Sequence, residues 1–134
     1  MDERELHAIA NKDLVVNALG YWPSFHDAHV LSAAQNGDRC EVWIYVFHMT
    51  NDVDARGYFV LTKHHRVRLV MNGVSECSLP ERYEGDILFE LLFERSDGSV
   101  TATFSSVTDQ GWHATCREVV VSEVVPCGPG GESI

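Results

Sequence analysis

Residues 39–49 read Arg39-Cys40-Glu41-Val42-Trp43-Ile44-Tyr45-Val46-Phe47-His48-Met49 and follow directly on Asn36-Gly37-Asp38. Side chains on a strand alternate between faces, so Cys40, Val42, Ile44 and Val46 share one side and Trp43, Tyr45 and Phe47 the other. A strand apolar on both sides lies between two layers or offers one face to a partner. Asn36-Gly37 tolerates positive φ at both positions, which marks a tight hairpin and makes residues 27–35 the antiparallel neighbour of residues 39–49.

The same period of two extends outward from this pair. Residues 50–57 are polar turn material, residues 58–71 are extended with a bend expected at His64-His65, and Asn72-Gly73 turns the chain again. Residues 74–85 contain Pro80 and read as a longer connection. Ile87, Phe89, Leu91 and Phe93 then fall on one side of a strand, with Glu90 and Glu94 on the other. Asp97-Gly98 returns the chain through residues 100–105, and residues 112–125 make two strand pieces meeting near Arg117. Helical spacing occurs only before Gly20, where Leu6, Ile9, Ala10, Leu14, Val15, Ala18 and Leu19 recur at three- and four-residue intervals. The expected architecture is α+β, mainly β: one or two short N-terminal helices, then six or seven largely antiparallel strands. Residues 1–126 are expected to form a single globular domain, with 127–134 a flexible C-terminal tail that leaves Cys127 exposed.

A chain of 134 residues that is 45% hydrophobic can close one core. Ten basic against twenty acidic residues give a formal charge of −10, which repels phosphate backbones and anionic membranes and suits a basic protein partner. No stretch reaches the roughly 18 apolar residues of a membrane helix, and the charged start is unlike a secretion signal, so a cytoplasmic location is expected. Cys40, Cys77, Cys116 and Cys127 form no CxxC pair and read as free thiols.

His26, Asp27 and His29 are the chemical suspicion, since imidazole and carboxylate within four residues, completed by His64 or His65, would suit a metal or a hydrolase. Geometry argues against convergence: on a strand, residues 27 and 29 share a side that residue 26 does not. The alternative is a corner where the Asp27 carboxylate accepts backbone N–H groups after the Trp22-Pro23 turn. There is no P-loop, GxGxxG, HExxH or serine elbow, so no enzyme, cofactor or metal is expected. A further alternative is a self-associating module that pairs through Trp43, Tyr45 and Phe47.

Residues 21–30, Tyr21-Trp22-Pro23-Ser24-Phe25-His26-Asp27-Ala28-His29-Val30, resemble the N-terminal motif of the immunity protein 50 family, whose members read close to WPSFHDAEV after a short helix. Here His29 stands where those members carry glutamate. The resemblance implies an antidote of bacterial competition systems that binds and blocks a cognate toxin in the cytosol, without catalysis. It leaves Trp22, Pro23, Phe25, His26 and Asp27 in structural roles. For a basic toxin, the acids Asp52, Asp54, Glu81, Glu84 and Asp86, flanking two connections, are the candidate contacts.

Overall fold

The structure, a computed structural model, describes residues 9–79, 86–108 and 111–133. Two residues, Ile9–Ala10, form β1, and Asp13–Leu19 form helix α1. The strands that follow are β2 (His29–Asn36), β3 (Arg39–Val53), β4 (Phe59–Asn72), β5 (Glu76–Cys77), β6 (Asp86–Ser96), β7 (Ser99–Ser106), β8 (Trp112–Cys116) and β9 (Glu118–Pro126). They hydrogen-bond in the order β1-β9-β4-β3-β2-β6-β7-β8-β5.

The mainly β expectation holds, with nine strands instead of six or seven. The additions are the two-residue β1 and β5. Periodicity has no purchase on either, because two residues carry no period. Ile9–Ala10, expected in a helix, pair in parallel with Val119 and Val120, so the sheet is not antiparallel throughout. Asn11 takes a left-handed φ of 61°, which ends any helix there; α1 starts beyond it and stops at Gly20, whose N–H bonds Val16 O at 2.7 Å. Residues 2–8 of the expected helix, the Pro80 connection and Glu81 and Glu84 lie outside the described residues.

The first hairpin turns on Gly37 and Asp38, one residue later than expected, with Asn36 still paired to Arg39. Gly37 has φ 61°, the conformation that glycine adopts without side-chain strain. β2 meets β6 over only two residue pairs, His29↔Ile87 and Val30↔Asp86. A single residue, Arg117, joins β8 near one end of the strand order to β9 near the other. The sheet must therefore fold over on itself, and one core receives side chains from both halves: Val42, Ile44, Val67, Leu69 and Val121 from one, Leu88, Phe93, Phe104 and Ala114 from the other. Phe104 and Trp112 stack in parallel within it, 4.1 Å apart.

Three departures from strict alternation come from bulges, where one strand carries an extra residue and its side chains change phase. In β6 the register slips between Leu88 and Glu90. Leu88, Leu91 and Phe93 consequently point inward, while Ile87 and Phe89, expected with them, are exposed. In β4 the slip opposite residues 46–48 adds Lys63 at φ 53°, one residue before the expected His64-His65 bend. In β2 the extra residue is Leu31.

The C-terminal segment packs back onto the sheet. Cys127, expected exposed, is 6% exposed, and its N–H bonds His64 O at 3.1 Å. Gly131 approaches Leu31 and Tyr45 so closely that a Cβ would stand 3.1 Å from each. Arg66 Nη1 donates to Ser133 Oγ at 3.0 Å, and its guanidinium lies 5.1 Å from the Trp43 ring. Of the two placements open to the aromatic row, packing within the protein is the one that Tyr45 takes, since it is buried, while Trp43 and Phe47 are half-buried. The three glycines in residues 128–131 gave no apolar signal, yet small size is what permits this approach.

Candidate functional site

Residues 21–28 are held by a corner that turns them away from β3. Pro23, Phe25 and Ala28 are buried. Trp22 packs edge-on against Phe25 at 5.5 Å and Phe93 at 6.4 Å. Phe25 and Asp27 both have left-handed backbones, φ 64° and 66°. Ser24 Oγ accepts the His26 N–H at 3.2 Å and Phe25 O accepts the Ala28 N–H at 3.1 Å. The corner is therefore closed by Ser24 and the backbone, not by the Asp27 carboxylate. Its outcome is a change of partner: Asp27 N–H donates to Leu88 O at 2.9 Å, and Leu88 N–H donates to Ala28 O at 2.8 Å. His26 extends the same contact, with Nδ1 2.9 Å from Phe89 O; a carbonyl only accepts, so the proton sits on Nδ1.

β2 pairs with β3 no further than His29↔Tyr45. Beyond that point the motif follows β6, leaving residues 46–49 of β3 without a strand on that side. Between them lies a cleft of about 220 Å³ lined by Tyr21, residues 23–28 and residues 46–49. Tyr21 bridges its mouth: the hydroxyl is 2.9 Å from His48 Nδ1, with the rings edge-to-face at 5.5 Å. Burial pushes the Tyr21 phenol up. Asp27 supplies a carboxylate at the cleft, with Oδ2 3.6 Å from His26 Nε2 and both side chains about half exposed. That contact attracts only when the ring is protonated, and exposed pairs of this kind add little.

The expected histidine cluster is divided among different partners. His26 packs on Phe89, His29 edge-on against Tyr45 at 5.5 Å, and His64 stacks on Tyr45 with Nδ1 2.6 Å from its hydroxyl. Among the described residues no three His, Cys, Asp or Glu side chains are grouped to hold a metal ion. The four thiols are free. Burial, reinforced by the neighbouring Cys77, pushes Cys40 up to about 12, and burial takes Cys116 to about 11.

Of the candidate acids, Asp54 organises the β3–β4 turn. Its Oδ1 accepts N–H groups from Arg56 at 2.8 Å and Tyr58 at 3.0 Å. Asp52 is exposed beside it. Asp86 is half-buried and engaged by Ser106 Oγ, Thr108 Oγ1 and the Ile87 N–H. Sequence reading missed the length of this hairpin. β9 leaves β4 at His65↔Pro126, so residues 46–64 extend past both neighbours, exposing Met49, Val53, Tyr58, Phe59 and Val60. Tyr58, at 68%, is the most exposed of them. The Asp54-to-Gly57 turn was the available signal, but nothing local said that the strands beside it would end early.

The fold and cleft define a mainly β domain with a projecting hairpin and no helix, among the described residues, long and apolar enough to cross a membrane. Comparison with protein-family models, curated proteins and solved structures finds no match, so the likeness to the immunity protein 50 family rests on residues 21–30.

Proposed function

We propose that this chain is an immunity protein that neutralises a cognate bacterial toxin in the cytosol by stoichiometric binding, without turnover or cofactor. The observation that supports binding is the β3–β4 hairpin. Exposed apolar side chains on a projecting element, rimmed by charge, are typical of surfaces completed by another protein. Met49, Val53, Tyr58, Phe59 and Val60 supply the apolar area and Asp52 the neighbouring acid. A chain of formal charge −10 would meet a basic toxin faster than a neutral one, with the gain weakening as salt rises.

The test is co-expression with the toxin domain encoded beside this chain, read as colony growth. Growth is expected to return with the wild-type protein and to be lost with the paired substitution Tyr58→Glu and Phe59→Glu, at unchanged thermal stability. Cell death despite folded wild-type protein would remove the immunity reading. Full protection by the paired variant would move the contact off the hairpin.

A further inference from the structure

The cleft adjoins a strand edge, residues 46–49 of β3, that no described strand covers. Of the two end strands in the sheet order, β1 and β5 each have only two residues. The outer edge of β4 at residues 59–64 is blunted: Lys63 forms a bulge with φ 53°, and its Nζ reaches across to Leu19 O at 3.1 Å. Bulges and inward-reaching lysines are the usual means of preventing strand addition. The β3 edge at residues 46–49 has neither protection; the β3 irregularity comes only after Met49.

We propose that residues 46–49 accept an extended segment of a partner polypeptide as an added strand, occupying the place that β2 would have filled had residues 25–28 continued straight. The motif is then a diverter: left-handed Phe25 and Asp27 hand the chain to β6 and so keep the β3 edge open. Strand addition supplies main-chain hydrogen bonds, and alternate side chains of the guest enter pockets on either side. The cleft sets apolar Pro23, Phe25 and Phe47 beside the Asp27 carboxylate, and Asp52 lies exposed beyond Met49, so apolar side chains of the guest would be interspersed with Lys or Arg. The same charges disfavour a second copy of this chain, which would bring two formal charges of −10 together.

This inference rests on the protein-binding reading above, but its test uses no toxin. Linear random decapeptides displayed on phage are selected on the intact protein, and the enriched peptide is synthesised in four forms: unmodified, N-methylated on odd residues, N-methylated on even residues, and with acids in place of its basic residues. Enriched sequences are expected to intersperse apolar with basic residues. One N-methylated form should bind about tenfold more weakly and the other nearly normally, because only one set of N–H groups faces β3. The acidic form should also lose about tenfold, and the peptide should slow amide hydrogen exchange at residues 46–49. Asp27→Lys and, independently, Met49→Lys should weaken the unmodified peptide. Equal tolerance of both methylated forms, protection elsewhere in the sheet, absence of enrichment, or a stable dimer in sedimentation would each overturn the proposal. Loss of toxin protection with peptide binding intact would refute the immunity reading and leave the edge standing.

Discussion

Replacing Phe25 separately by alanine and by glycine distinguishes what its side chain contributes from what its backbone costs. Phe25 is 2% exposed and packs on Trp22, so truncation to alanine is expected to remove about 3–5 kcal/mol. That is a large part of the roughly 5–15 kcal/mol that holds a small domain folded. At an ordinary strand position, glycine would cost a further 0.5–1 kcal/mol or so relative to alanine, by loosening the unfolded chain. At φ 64° the order reverses. An alanine Cβ retains a left-handed penalty of about 1–2 kcal/mol that glycine lacks, so Phe25→Gly should equal or exceed Phe25→Ala by up to about 1 kcal/mol. Urea denaturation at neutral pH, with the midpoints compared at equal slope, reads the difference directly. A Phe25→Gly protein less stable than Phe25→Ala by the usual 0.5–1 kcal/mol or so would refute the left-handed corner, and with it the diversion of the chain away from β3.

Alkaline pH should destabilise the fold through its buried thiols. Their folded values, about 12 for Cys40 and about 11 for Cys116, lie above the ordinary 9.0. Between about pH 9 and 11 the unfolded chain has therefore lost protons that the folded one keeps, and stability falls by up to about 1.4 kcal/mol per pH unit for each thiol. Cys40→Ala should flatten that slope in urea titrations from pH 8 to 10.5; an unchanged slope would exclude Cys40 as a contributor. Asp54→Ala removes the acceptor for two turn N–H groups and should cost about 1 kcal/mol, with Asp54→Asn recovering most of it. Ending the chain after Pro126 uncovers Tyr45, whose phenol burial pushes up. Ultraviolet titration should then find that phenol nearer its ordinary value, together with a loss of about 2 kcal/mol of stability; a truncated protein unchanged in both would show that the segment does not cover the ring.

The local period of the chain was enough to establish a mainly β protein. In residues 40–46 the alternation of Cys40, Val42, Ile44 and Val46 becomes a buried face because a strand has no other way to place every second side chain. Asp97-Gly98 is a two-residue turn with both residues at positive φ, as that pair of residue types favours. Charge was likewise readable without coordinates. The tertiary structure decided everything that depends on which strand a segment pairs with. Phe89 faces outward because one unpaired residue in β6 shifts the phase against β7, and a bulge has no periodic signature of its own. The tail packs on the sheet because Gly131 can touch Tyr45, a contact 86 positions away in the chain that no local pattern encodes. The cleft exists because Asp27 and Ala28 bond Leu88 instead of continuing along β3. From residues 21–30 alone the motif was visible, whereas the edge it uncovers required both strands to be in place.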